Sequence, residues 1–594
     1  MQPRYLRSLT VILALCISGC GNGQSDSVAV EASSGAEPAD LVLIGGEIAT
    51  VDPELGRVEA LAVDGYRIAA VGSNSEISAY IGPDTEVVEL EGRFVMPGFI
   101  EGHGHFLSLG ESLRIIDLSE IREWDEAVRM VAAAVDKARP GEWITGRGWH
   151  QDKWDSVPED AVEGVPVNDS LSAISKNNPV RLTHASGHAY FVNDAALEAA
   201  GIDGDTPDPR GGTIVRDAGG EATGLLRETA RDLVDAAQRK AVAALSPEER
   251  EAQDRERVRL AGALALMSGV TSFQDAGERT RNFIEDIEFL KKLEAEGELP
   301  IRLYMMERGV PVEMLDEALP VLKMLPEGND FLTVRSIKKQ IDGALGAHGA
   351  WLLEPYSDLP ASDGLVLETV EDIEATAEAA VRHGYQLNTH AIGDRAVREV
   401  LDLYERVWDR MEVEGRELRW RIEHAQHIRP EDVPRFGELG VIASIQAVHG
   451  TSDGPWIPTR LGDERAEVTS QPWRDLFRTG AVVTNGTDVP VERISPIASF
   501  YSSVTRIMVN GERFYPEHVM TREEALKTYT INGAYAAFEE NLKGSLTPGK
   551  YADFIVLSQN LLTVDEALIP DTKVDMTFIG GELRYQRDRG MASR

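Results

Sequence analysis

The sequence predicts an α/β protein: a (β/α)8 barrel carrying a small β-sandwich built from both chain ends, and an inserted subdomain. Three observations predict it. Between about residues 98 and 535, short apolar runs alternate with long charged stretches of helical periodicity, the pattern of parallel strands joined by helices. Two distant segments, "ADLVLIGGEIATV" at 39–51 and "VDMTFIGGELRYQ" at 574–586, share a run, a Gly-Gly turn and a second run, which reads as a hairpin. The stretch at about 140–230 is rich in Gly, Pro and Trp and poor in helical periodicity, so it reads as an insertion over one face.

In chain order, residues 1–19 read as a signal peptide. Arg4 and Arg7 form its basic start, and the apolar stretch at 9–17 is too short to span a bilayer. It ends in "ISGC", which resembles a bacterial lipobox and implies cleavage before Cys20 and lipidation of its thiol. The small, polar residues of 20–38 have the composition of a flexible tether. The protein is therefore expected in the cell envelope, exported and held to a membrane through Cys20 alone.

Residues 39–97 and 536–590 are strand-like and are assigned to one composite β-sandwich. "RVEALAVDGYRIAAVG", "EVVELEGRFVMPG" and "KYADFIVLS" supply further strands, with no long helical pattern between them. Residues 98–535 form the barrel. Its first strand is "GFIEGHGHF", and "VTSFQDA", "IRLYMME", "TVRSIKKQIDG", "YQLNTHAIGD", "WRIEHAQ", "VIASIQ" and "AVVTNGTD" follow at intervals. Helical patterns separate them, such as 371–384 and 246–269; the latter opens with a capping box, Ser246 with Glu249.

Composition narrows the function. Of 594 residues, 42% are hydrophobic and 27% charged, as in an ordinary globular protein. With 60 basic and 99 acidic side chains the formal charge is -39, which repels phosphates and excludes a nucleic-acid partner. The only cysteines are Cys16 and Cys20, so the body has no disulfide, no thiolate metal site and no cysteine nucleophile. No Gly-x-Ser-x-Gly nucleophile elbow occurs. The sequence leaves oligomerisation open, a homo-oligomer included.

Several barrel runs end in residues that ligate metals: His103 and His105, His390, His424 and Asp488. In a parallel barrel the C-terminal strand ends converge on one face, so residues almost 400 positions apart can share one ligand sphere. His103 and His105, two apart, point to one side of an extended strand and can hold one divalent cation.

These pieces together resemble the amidohydrolase superfamily, specifically the YtcJ-like amidohydrolase family 3. The resemblance rests on "VMPGFIEGHGHF", "THASGHAYFVN", "PRGGTIVRDAGGEATGLLRE", "IDGALGAHGA", "NTHAIGD", "RIEHAQ", "GTDVPV" and "GSLTPGKYADFIVL", which span almost the whole chain after the tether. It implies a metal-dependent hydrolase that cleaves a carbon–nitrogen bond of a small molecule, other than a peptide bond, with metal-activated water. It implies one or two divalent ions, zinc above all, on His103, His105, Lys338, His390, His424 and Asp488, with Asp488 as the catalytic base. The family's lysine on the fourth barrel strand is often carboxylated and bridges two ions. Strand parity places Lys338 inward with Gln340 and Asp342, and Lys339 outward with Ile337 and Ile341. Glu101 would orient a histidine from outside the metal's ligand shell. His188 resembles a substrate-side motif; Trp149 and Arg216 are further substrate-binding candidates, weighed against core packing for the tryptophan and an ion pair for the arginine. Ester, lactone or phosphoester hydrolysis, isomerisation at the same metal site, and a non-catalytic anchored binding protein stand as alternatives.

Overall fold

The computed structural model describes residues 37–591 except 157–160, 186–188, 211, 278–281 and 589. The expected signal peptide, Cys20 and His188 lie outside the described residues. Among those described, no helix is long and apolar enough to cross a membrane.

Eight strands form one all-parallel sheet: β1 (Phe99–Gly104), β2 (Val270–Asp275), β3 (Arg302–Glu307), β4 (Leu332–Gln340), β5 (Gln386–Ala391), β6 (Arg421–His424), β7 (Ile442–Ile445) and β8 (Val483–Asn485). They fall on the eight runs expected from the sequence. The sheet curls into a nearly closed barrel, its last strand beside its first. A Cβ on Gly102 would sit 2.6 Å from the Asn485 carbonyl oxygen, so this seam requires glycine. Just beyond it, the Asp488 amide donates to the His103 carbonyl (2.9 Å) and the His105 amide to that of Val489 (2.8 Å).

The outward residues Phe273, Val334, Leu387, Ile422, Ala443 and Val483 pack beneath the surrounding helices. Helix Asp394–Met411 presents Val397, Val400, Leu401, Tyr404, Val407 and Trp408 to this core at helical spacing. Helix Pro247–Met267 begins with the expected capping box: Ser246 Oγ accepts the Glu249 amide (3.2 Å), and Glu249 accepts the Ser246 amide (3.0 Å). The barrel interior is polar, with Glu101, Gln274, Asn388, Arg421, Glu423 and Ser444 all at 0% exposure.

The chain ends meet in a sandwich of two sheets. One contains Leu41–Ile44, Ala60–Asp64, Arg67–Gly72 and Glu86–Glu89. The other joins N-terminal Glu47–Ala49, Arg57–Val58 and Phe94–Pro97 to C-terminal Phe554–Leu557, Val574–Ile579, Glu582–Gln586 and Gly590–Met591. Leu43, Leu61, Val95, Phe554, Val556 and Phe578 fill the space between them. The two Gly-Gly segments fold differently. Val574–Ile579 and Glu582–Gln586 do form an antiparallel hairpin, turning at Gly580 and Gly581 with φ of 57° and 76°. The segment at 39–51 is not a hairpin: Leu41–Ile44 pairs in the first sheet and Glu47–Ala49 in the second. There the glycines carry the chain between layers, and a Cβ on Gly46 would meet Leu90 Cδ1 at 2.4 Å.

The insertion also differs from expectation. Its six-stranded mixed sheet begins at Ile116–Asp117 and ends at Ala222–Glu228, between β1 and helix Pro247–Met267. It has its own core of Trp124, Trp149, Trp154, Leu182, Phe191 and Leu225. Helix Trp124–Val135 belongs to it, burying Trp124, Ala127 and Val131 at ordinary helical spacing.

Candidate metal centre and active site

On β1 the side chains alternate, and Glu101 and His103 point into the barrel. His105 follows the strand end, where the chain turns into helix Phe106–Ser112. Strand β4 delivers Lys338, β5 His390 and β6 His424; Asp488 follows β8. The ends of the strands thus bring all six expected metal-site residues to one cavity of about 360 Å³. Ligand atoms of His103, His424 and Asp488 lie within 4.8 Å of one another, a spacing that could hold one metal ion. His105 Nε2 lies 3.3 Å and His103 Nε2 3.5 Å from Asp488 Oδ1. Lys338 Nζ is 3.5 Å from His103 Nε2. The His390 ring centre is 4.3 Å from that of His424.

Each histidine is aimed by its surroundings. His103 Nδ1 pairs with Glu423. His105 Nδ1 donates to the Gly277 carbonyl (2.9 Å), and His424 Nδ1 to Gln446 Oε1 (2.7 Å). With these nitrogens occupied, Nε2 of each ring is left for a cation. His390 Nε2 is buried with no well-aligned hydrogen bond, although Asp342 Oδ1 is 3.4 Å away. Asp342 itself caps the loops around it, accepting amides of Ile392, Gly393 and Trp351 at 2.8–3.0 Å. Imidazoles, a carboxylate and unsatisfied buried nitrogen together fit a divalent cation.

The electrostatics of His103, His390 and His424 suit ligands that must be deprotonated, whereas burial of His105 is outweighed by Asp488, which raises it above its usual range. Burial, and then Lys338, hold the His103 imidazolium down to about 4 and that of His390 well below its usual range. Burial likewise depresses His424. Asp488 stays ionised: burial opposes this, but the surrounding histidines, His105 first, outweigh it. Burial and then Arg308 lower the Lys338 ammonium to about 8. Lys339 lies on the opposite face of β4 and pairs with Glu368 at 3.3 Å, so parity separated the two lysines.

Glu101 does not orient a histidine. Its Oε1 accepts the Thr487 amide and hydroxyl across the seam. The carboxylate that aims His103 is Glu423 of "RIEH", which sequence reasoning passed over in favour of His424. Arg421, two residues earlier on the same inward face, holds Glu423 through Nε at 2.7 Å. The signal was parity: Arg421 and Glu423 alternate with Ile422.

Two proposed substrate contacts lie elsewhere. Trp149 is 1% exposed in the insertion's core, beside Trp154, with its indole N–H on the Leu182 carbonyl (2.9 Å). Arg216 pairs with Asp208 (3.1 Å) and donates to backbone carbonyls including that of Ile214 (2.9 Å). Neither lines the cavity; core packing and loop fixation account for them. The wall is formed instead by Arg308, Gln340, Gln426, His449, Asp453 and Trp456. The last three come from the segment after β7, where helix Ala447–Ser452 carries His449.

A family profile described as "Amidohydrolase family" matches residues 86–585. The protein LONG AFTER FAR-RED 3 of Arabidopsis thaliana is 35% identical over 92% of this chain and 92% of its own length. The putative amidohydrolase YtcJ of Bacillus subtilis is 29% identical over 91% of this chain and 99% of its own. An N-substituted formamide deformylase of Arthrobacter pascens is 27% identical over 92% and 98%. Among solved structures, an uncharacterized metal-dependent hydrolase from Pyrococcus furiosus superposes with a TM-score of 0.68 at 28% identity, covering 88% of this chain and 100% of that one.

Proposed function

The chain belongs to the amidohydrolase family, and we propose that it hydrolyses a carbon–nitrogen bond, amide, N-acyl or cyclic amide, in a small non-peptide substrate. The observation that carries this is the gathering of His103, His424 and Asp488 ligand atoms within 4.8 Å at the strand ends. A divalent cation, zinc by the donor chemistry, would be held there by His103, His105, His390, His424 and Asp488, with Lys338 joining a second ion if carboxylated. Such an ion supplies Lewis acidity toward the substrate carbonyl and toward water.

The protein's own groups do the rest. Asp488, kept ionised and facing the cavity, takes a proton from the attacking water and returns it to the leaving nitrogen. Glu423 holds His103 by Nδ1 and fixes its ring. The similarity to an N-substituted formamide deformylase supports a substrate of the N-acyl amine class.

The test is a panel of N-benzylformamide, N-benzylacetamide, a cyclic amide, benzyl acetate and a lactone, with the metal-stripped and zinc-reloaded protein. Zinc-dependent release of benzylamine is expected. Turnover of the esters alone would move the reading to ester hydrolysis.

The apolar leader and "ISGC" further support export and anchoring through a lipid on Cys20. Palmitate labelling of the wild-type protein, lost in Cys20→Ala, is the expected result.

A further inference from the structure

His449 is a cavity-wall residue for which the mechanism above has no use. It lies in the short helix Ala447–Ser452 directly after β7 and is 7% exposed. Its ring is nearly parallel to that of His424, at 11°, with centres 6.5 Å apart, so it stands one small group away from the metal-site residues. Its two nitrogens are in different situations. Nδ1 is 3.5 Å from Gln426 Nε2, and an amide nitrogen can only donate, so Nδ1 is the acceptor. The proton of the neutral ring is then on Nε2. That Nε2 is buried and has no hydrogen-bond partner among the described residues. Asp453 and Glu492 line the same cavity, yet neither reaches it.

His449 lines the cavity, and its buried, unpaired N–H would be satisfied by a ligand that brings an acceptor. The Asp453 carboxylate interacts electrostatically with His449 and disfavours an anionic acceptor beside it, while the cations Arg308 and Lys338 line the same cavity. We propose that His449, its tautomer set by Gln426, donates a hydrogen bond from Nε2 to the uncharged carbonyl oxygen of the substrate's acyl group. The proposal rests on the hydrolase reading for its substrate class, but it needs only a carbonyl and not a particular bond to cleave. It also selects against substrates with a carboxylate at that point.

The experiment uses the zinc-loaded full chain and the variants His449→Leu and His449→Gln. Binding of benzylacetone, the uncleavable ketone isostere of N-benzylacetamide, is measured by calorimetry. KM and kcat are measured on N-benzylformamide and on benzyl acetate, with zinc content alongside. The leucine variant should weaken benzylacetone binding and raise KM about tenfold, with a smaller change in kcat and unchanged zinc. The glutamine variant, which keeps a side-chain N–H donor, should recover most of the loss. The proposal is overturned if wild type does not bind benzylacetone, if the leucine variant binds it as wild type does, if glutamine rescues nothing, or if zinc is lost in step with binding. Cleavage of benzyl acetate alone, with the same pattern across the variants, would reject the carbon–nitrogen reading and leave His449 in place.

Discussion

Glu101 on β1 and Glu423 on β6 are both 0% exposed inside the barrel, yet their neighbours differ. Glu101 accepts the amide and hydroxyl of Thr487 with no cation among the described residues to hold its charge, and burial pushes its carboxyl up to about 8. Burial would raise Glu423 too, but Arg421, His103 and Lys338 outweigh it and hold it well below the usual carboxylate range. Arg421 is itself anchored on the Gly102 carbonyl (2.7 Å) and Ser444 Oγ (2.9 Å). Depth in the barrel therefore does not decide charge; a fixed cation does. On the β6 side a permanent charge aims a histidine, whereas on the seam side a neutral acid ties β1 to the loop that carries Asp488.

The sharpest way to break this comparison is at the seam's output. Asp488→Asn should retain most of its metal by elemental analysis and lose roughly 10²- to 10⁴-fold in kcat, the usual worth of a positioned base. Wild-type turnover would remove Asp488 as the base. Next, Glu423→Gln takes the charge from behind His103 and should weaken zinc affinity by ~10- to 100-fold in a chelator competition. An unchanged affinity would mean that Glu423 only fills space.

Glu307 on β3 extends the comparison to a third buried carboxylate. It accepts the Val310 amide (2.8 Å), and burial raises it to about 7. Its folded value exceeds its unfolded one, so its contribution is fully present below the unfolded pKa and is lost as pH rises through about 7. Denaturation of wild type and Glu307→Gln across pH 5 to 8 should show wild type losing on the order of 2 kcal/mol relative to the variant. A parallel pair of curves would contradict it. The smallest effect is expected for Glu101→Gln, which keeps an oxygen for Thr487 and should stay within about 1 kcal/mol of wild type in urea unfolding. A larger loss would show that Glu101 is needed ionised.

Much of this was legible in the sequence because it is periodic. Eight apolar runs separated by helical patterns gave the barrel, and their last residues gave His103, His105, His390, His424 and Asp488 as one group. Two-residue parity, with the family's spacing to Asp342, separated Lys338 from Lys339. What escaped was set by partners distant in the chain. Glu423 gains its part from Arg421 and from His103, 320 residues away, and a glutamate inside "RIEH" carries no mark of that. His449 lies on no strand, so no alternation points it anywhere. The Gly-Gly segment at 39–51 has the local pattern of a hairpin, but the sheet that takes its second strand is completed by the other end of the chain. Trp149 and Arg216 drew attention through residue type, and packing and an ion pair had the stronger claim on them.

The sandwich has a consequence for how the protein is made. Phe94–Pro97 pairs with Phe554–Leu557, so a strand that leaves the ribosome waits for a partner made far later in the chain. Until then Val95 and its neighbours lack half their cover, and the edge of Phe94–Pro97 is open to other chains. The buried Arg302–Asp553 pair (2.7 Å) then links the late segment to β3. Translation that stops short of Phe554 thus yields a sticky, unfinished chain, and correct closure certifies that synthesis has passed that strand.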